Sequence, residues 1–510
     1  MKRFTLYFIS ALIGILLVSC ENTDYKNVIP KNSNFVISLD MKSMFNNIDI
    51  PDETFNSFSS LLSLFFTGSD SDKFMAMLKG DENTGIDFAS PFYFFISPEI
   101  DLGLTFKVDD DDDLDDFFDM LKRSNIAKKP VEQDDIKWST LFDDINVAYN
   151  DKTLTLLVAK NSAQSKKELK KLFDNTEDDS FISSAKYEKM ESVDGPLVCF
   201  YNCAFLNRTN HAENVNDFFA SFLPEGVRVV DANVINEWVF NDGQMDVNME
   251  LFSTNEKSQK LLEKENKKYE TIDGDFINAP NDFLAWIGAG VKGEDFLKRL
   301  KAFDEINGYI LKLDRAIDIQ KIIKSIDGDL AVVIPGLSDK DVEFVMTAKT
   351  SNTDFLKDVD YWNETMKDYG IKMSENSKNN FTLSLGKESD GMELNWGVDG
   401  DNVYFASKNS FFKSAFSEKS DKLESVRKSI TNSIFYAYLN NDGFEKNFSN
   451  MLHLKDEGNE QLSNIDSYIF QAKDFCHYTF SICMKDKSKN FIQQMLDVLK
   501  DMTSGAGMNR

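Results

Sequence analysis

The residue with the most legible chemistry is Cys20. It closes the run Leu17-Val18-Ser19-Cys20, behind Lys2, Arg3 and a mostly apolar stretch from Phe4 to Val18. A basic head, a short greasy core and small residues before a cysteine are the features of a bacterial lipoprotein leader. Ser19 is small enough to enter a signal peptidase, and the Cys20 thiol would carry a diacylglyceryl group and become the mature N-terminus. The fifteen residues from Phe4 to Val18 fall short of the ~20 that a spanning helix needs. No Ala-x-Ala-like site precedes Glu21, which disfavours an ordinary secretory leader. Acyl chains such as palmitate add roughly 0.8 kcal/mol of membrane binding per buried methylene, so two or three of them hold a protein stably.

Other reactive side chains form no catalytic or metal-binding pattern. Asp109 to Asp113, with Asp115 and Asp116, is the densest acidic cluster. A calcium loop wants a central glycine and a glutamate at its twelfth position; here there is no glycine, and the twelfth residue from Asp109 is Met120. Carboxylates at a helix N-terminus gain ~0.3 to 1 kcal/mol each from its dipole, so the cluster is expected to cap a helix. Asp399-Gly400-Asp401-Asn402 is expected to be a turn. His211, His453 and His477 show no His-Glu-x-x-His spacing, and neither a Gly-x-Ser-x-Gly elbow nor a phosphate-cradling Gly-x-x-x-x-Gly-Lys occurs. No catalytic residue, metal or cofactor is therefore assigned. With 85 acidic side chains, a carboxylate pair for glycan hydrolysis is always possible and so uninformative. Trp138, Trp238, Trp286, Trp362 and Trp396 are scattered and expected in the core. Cys199 and Cys203 would lie roughly 13 Å apart on one strand face, too far to bridge. Cys476 and Cys483 would lie on opposite faces, so free thiols are expected, with a long-range bridge left open.

The elements around these residues recur in the same order twice, which predicts an α+β fold of two tandem related copies of an antiparallel-sheet-plus-helices module. Copy one, 28–270, opens at Pro30 with a strand from Phe35 to Leu39. Strands at Pro91 to Ile96 and Leu102 to Val108 and a helix at Leu114 to Leu121 follow. Copy two, 274–502, opens at Pro280 and answers with Leu330 to Ile334, Val342 to Ala348 and Phe355 to Trp362. Each then has a hairpin, turning at Asn150-Asp151 or Asp399-Gly400, residues that tolerate positive φ. Leu197 to Phe205 and Ile434 to Leu439 correspond next, then Val247 to Leu251 and Tyr478 to Met484, each of the last pair feeding a lysine-rich helix. Further helix is expected in 52–80, 210–222, 255–268, 293–325 and 441–453. Residues 1–20 form the leader, 21–27 a disordered tether and 503–510 a disordered tail.

Composition limits the partners. Fifty-seven basic against 85 acidic side chains leave a net charge of −28, which repels nucleic acid and anionic lipid surfaces. Hydrophobic residues at 42%, with 44 Phe, supply core for a chain of roughly 490 mature residues, more than one core usually serves.

The leader ending at Cys20, the short polar spacer, and Val28-Ile29-Pro30 running into Phe35 to Asp40 resemble a group of Bacteroidota lipoproteins catalogued as a domain of unknown function. The resemblance covers nearly the whole mature chain and implies an envelope lipoprotein with no assigned catalytic residues. The expected function is that of a lipid-anchored cell-envelope protein, a non-enzymatic binding or scaffolding module with an envelope protein or glycan as partner. The competing expectation is a glycan-directed envelope hydrolase with a dispersed carboxylate site. Glu21, not the Asp of inner-membrane retention, follows Cys20, so an outer-membrane location is expected, in the periplasmic leaflet or at the cell surface.

Overall fold

A computed structural model of the chain describes residues 24–45, 48, 70, 72, 73, 76, 77, 82–158, 162–208, 223–337, 342–384, 393–407, 416, 418–441 and 464–506. Cys20 and the leader, most of 52–80, and 210–222 and 442–453 with their expected helices lie outside the described residues. The fold is mixed helix and strand, built on extensive antiparallel sheet. The chain divides into two compact units at Phe200 and Tyr201, not at the polar joint Tyr269 to Gly274 that the sequence suggests. The reason is that the strands at 233–252 pair with one another and with the strand at 477–484, which ties them to the later part of the chain.

In the first unit the strands are β1 (Phe35–Leu39), β2 (Phe92–Ile96), β3 (Leu102–Lys107), β4 (Val131–Gln133), β5 (Ile136–Leu141), β6 (Ile145–Tyr149), β7 (Thr153–Val158) and β8 (Leu197–Asn202), within which the division falls. Their pairing gives the order β4-β5-β6-β7-β3-β2-β1-β8. Helix α1 (Asp111–Arg123) starts where the Asp110 carboxylate accepts the N–H groups of Asp112 and Asp113, so the acidic run caps a helix as expected. Leu114, Phe118 and Leu121 recur at helical spacing and bury one face of α1 against Val147, Tyr149 and Leu154. The Phe118 and Tyr149 rings stack at 4.8 Å. Gly103 lies opposite Phe95, where a Cβ would come within 2.2 Å of the Phe95 ring, so only glycine lets that ring cover the strand. Helices α2 (Ser162–Phe173) and α3 (Ala185–Met190) and a single helical turn at Met41–Met44 also belong to this unit.

The second unit contains β9 (Asn233–Asn241), β10 (Gln244–Phe252), α4 (Glu256–Asn266), β11 (Ala285–Lys292), α5 (Gly293–Leu300), α6 (Asp304–Leu313) and α7 (Ile319–Ser325). There follow β12 (Ile326–Leu337), β13 (Val342–Thr350), α8 (Val359–Lys367), β14 (Lys372–Ser377), β15 (Asn380–Ser384), β16 (Glu393–Asp399) and β17 (Asn402–Ser407). The unit closes with α9 (Asp421–Thr431), β18 (Phe435–Asn440), β19 (Ile465–Ala472), β20 (His477–Met484) and α10 (Phe491–Ala506). Its strand order is β9-β10-β20-β19-β18-β11-β12-β13-β17-β16-β15-β14, antiparallel throughout.

Three local expectations are corrected. Residues 24–27 are not a loose tether: Asp24–Val28 form a 3-10 helix with Tyr25, Lys26 and Val28 buried. Thr503 to Ala506 continue α10 instead of starting a disordered tail. The strand expected to run to Phe205 stops at Asn202, whose side chain turns back to the carbonyls of Val230 and Ala232, and Cys203–Arg208 form a 3-10 helix. Among the described residues no helix is long and apolar enough to cross a membrane.

Candidate functional site

Within the second unit, α7 and α8 lie over β12, β13 and β15 to β17 and leave a cavity of about 140 Å³ that is faced by apolar surface alone. The local sequence explains both walls. Ile319, Ile322, Ile323 and Ile326 recur at helical spacing, and the Asp318 carboxylate caps α7 by accepting the Lys321 N–H at 3.1 Å. On α8, Trp362 and Met366 are one turn apart and both buried. Leu330, Met346, Leu383, Trp396, Val403 and Phe405 supply the sheet side. The Trp362 and Trp396 rings are 6.0 Å apart, and Phe381 stacks on Trp396 at 4.6 Å.

The cavity is close in size to the ~150 Å³ apolar cavities that stay dry and take up benzene or xenon. Thr347 and Tyr404 also line it, but their hydroxyls donate to the Val403 carbonyl and to Asn380 Oδ1, so what the cavity can do is bind apolar matter. Ion pairing stays at the edge, where Lys321 meets Asp358. The indole N–H of Trp396 is buried without a partner among the described residues, so this tryptophan is held by packing. The isoleucine spacing was visible as helix within 293–325; that its apolar face would meet β15 to β17 without filling the space was not.

The other candidates resolve into structure. Asp115 accepts from Lys137 at 2.6 Å and from the Tyr149 hydroxyl at 2.9 Å; burial and then Asp115 push the Tyr149 pKa well up. Asp399 to Asn402 form the β16 to β17 turn, with Gly400 at φ +64°. Trp138, Trp286, Trp362 and Trp396 are buried and Trp238 partly so. Cys199, Cys203, Cys476 and Cys483 are free thiols. Burial pushes Cys199 and Cys476 up to about 12 and Cys203 up to about 11, which suits packing and not nucleophilic attack. Among the described residues no three His, Cys, Asp or Glu side chains group as a metal site. His477 lies at the start of β20; His211, His453 and Cys20 lie outside the described residues.

The family model for a domain of unknown function, DUF4836, matches residues 25–492. The chain belongs to that family. This DUF4836 member is also similar to crystal forms I and IV of TP0453, each at 10% identity and a TM-score of 0.27. The two likenesses cover 46% and 44% of this chain and 81% and 79% of those chains. No curated protein matches it.

The DUF4836 match begins at Tyr25, inside a feature that residue spacing did not signal. Lys26 is 4% exposed. Its ammonium donates to the Tyr187 hydroxyl at 2.9 Å and lies 5.5 Å from the Tyr93 ring centroid, 5.6 Å from that of Tyr187 and 6.0 Å from that of Tyr25. Glu191 stands 4.0 Å away. A lysine enclosed this way is held by ring quadrupoles and one carboxylate, and it fastens the start of the described chain into the first unit.

Proposed function

We propose that this chain is a lipid-anchored cell-envelope protein, acylated at Cys20 and held at the outer membrane, whose body is a non-enzymatic binding module for an apolar ligand. The observation that carries the binding role is the cavity of about 140 Å³ faced only by apolar surface. The leader ending in Ser19-Cys20 supports the anchor.

Thermal unfolding of the mature chain with and without benzene tests the binding role, because a ligand that binds only the folded state raises the midpoint. A saturable rise is expected for the parent and its loss in Val403→Phe, with Ala348→Val as a milder filling. No rise in the parent, or the same rise in both filled variants, refutes the role. The anchor is tested separately by labelled palmitate and membrane fractionation of Cys20→Ala, which is expected to lose both the label and firm membrane association.

We also infer that the body arose by internal duplication into two tandem copies. What supports this is strand order: β4-β5-β6-β7-β3-β2-β1-β8 has the same sequence of connections as β14-β15-β16-β17-β13-β12-β11-β18.

A further inference from the structure

We propose that a cleft lined by α5, β11 and β18 is a second ligand site, for an uncharged, flat aromatic molecule that carries an amide group. The cleft measures about 430 Å³, within the range of pockets that enclose small molecules. It shares no lining residue with the cavity under α7 and α8. Five aromatic residues line it: Tyr269, Phe296, Phe303, Phe435 and Phe475. Local sequence explains the space they enclose. Between the aromatic residues β11 offers only Ala289, Gly290 and Val291, and a Cβ at Gly290 would come within 2.3 Å of the Glu270 carbonyl oxygen, so no side chain can fill the cleft from that point.

The polar groups of the cleft decide which ligand fits it. Glu265, 9% exposed, accepts from Lys268 at 2.6 Å and from Arg299 at 2.8 Å. The Arg299 guanidinium also lies 4.1 Å from the Tyr269 ring centroid and donates to its hydroxyl, and Tyr269 stacks on Phe475 at 5.7 Å. Lys292 pairs with Glu270 at 2.5 Å, and Asp295 completes the lining. Lys268, Lys292 and Arg299 thus stand against Glu265, Glu270 and Asp295, and the balance leaves no net charge to draw in an ion. What remains is hydrogen-bonding capacity. An ammonium has three donors and a guanidinium five, of which these contacts use one on each lysine and two on Arg299. The exposed Asp295 carboxylate makes no hydrogen bond or ion pair among the described residues and is able to accept. A primary amide meets both needs, because its carbonyl accepts from a cation and its NH2 donates to Asp295, while the ring that bears it covers the phenylalanines. A carboxylate in its place would face Asp295, and a bare hydrocarbon would desolvate the polar groups without pairing them.

The test titrates the mature chain carrying Cys20→Ser with three probes that share one ring system, 2-naphthamide, 2-naphthoate and naphthalene, and reads dissociation constants by ligand-observed NMR. The amide is expected to bind about tenfold tighter than either of the others, as a hydrogen bond to a charged group implies. Phe435→Ala should weaken all three probes about tenfold by removing one ring from the lining. Lys292→Gln and Asp295→Ala, at exposed side chains that leave the packing alone, should narrow the preference for the amide and leave naphthalene unchanged. Val403→Phe, which fills the cavity under α7 and α8, should bind 2-naphthamide as the parent does, so the two sites succeed or fail separately. Loss of amide binding in Val403→Phe overturns the proposal, because the probe would then occupy the other cavity. No binding of the amide, equal binding of all three probes, or an amide preference that Lys292→Gln and Asp295→Ala both leave intact overturns it as well. Tightest binding of 2-naphthoate overturns it in favour of an anion site.

Discussion

The Asp329 carboxylate accepts the backbone N–H of Gly274 at 2.7 Å. It also accepts those of Asp273 at 2.6 Å and Asp275 at 2.9 Å. One buried side chain on β12 therefore fixes the loop that leads into β11. Burial raises the Asp329 pKa, and the three donors pull against that rise. Asp329→Ala would leave three amides without their acceptor, and a loss of about 3 kcal/mol is expected. Gly274 has φ +100°, and a Cβ there would meet Ile277 and Thr431 at 3.2 Å, so Gly274→Ala should cost about 1 to 2 kcal/mol. Urea unfolding midpoints at constant slope check both values.

Widening the cavity separates its packing from its capacity. Leu383 is 7% exposed and lines the space under α8. Leu383→Ala should destabilise by about 2 to 4 kcal/mol, since the removed side chain loses its contacts and the hole grows. The same variant should accept a larger apolar probe, toluene in place of benzene, with a greater rise in unfolding midpoint than the parent shows. A Leu383→Ala chain that loses stability yet gains no preference for toluene would place the probe elsewhere.

Much of this architecture was legible in the sequence, because turn chemistry and period-two alternation act locally. Asn150-Asp151 and Asp399-Gly400 do turn their hairpins, and Asp110 does open α1. The strands that went unread lack a clean alternation. β14 is Lys-Met-Ser-Glu-Asn-Ser with one buried residue, as an edge strand permits, and β9 mixes Asn and Glu among its apolar residues. Lys26 defeated residue-type reasoning outright, since lysine is almost never buried unless paired, and its partners Tyr93, Tyr187 and Glu191 are 67 or more positions away. The cavity is a property of how α7 and α8 sit on β15 to β17, and no single segment encodes an unfilled volume.

His477 supplies a pH dependence. Its Nε2 lies 3.7 Å from Glu250 and its Nδ1 2.9 Å from Asp474. The Glu250 contact raises the imidazole pKa most, burial opposes the rise, and Asp474 adds to it. A folded-state pKa above the unfolded value of about 6.5 means that this contribution is complete below that pH and is lost as pH rises through the folded-state value. His477 is about half exposed, so the effect should be a modest fall in unfolding midpoint between about pH 6 and pH 8. His477→Gln should flatten that fall. If parent and variant show the same slope, His477 is not its source.

The Lys26 enclosure sets how far the body can stand from a membrane. Asp24 already belongs to the 3-10 helix whose next residues are buried. Only Glu21, Asn22 and Thr23 separate it from Cys20. Four Cα steps of at most 3.8 Å each limit the reach to roughly 15 Å. With Cys20 acylated as proposed, the first unit would be held against the headgroups and the short spacer shielded from proteases. Lys26→Met keeps the buried stem but removes the charge from among three rings and takes the donor from Tyr187, which should cost about 1 to 2 kcal/mol. It should also speed hydrogen exchange and proteolytic cleavage between Asp24 and Ile29 ahead of global unfolding. Equal cleavage rates in parent and Lys26→Met would show that the enclosure does not hold the segment down.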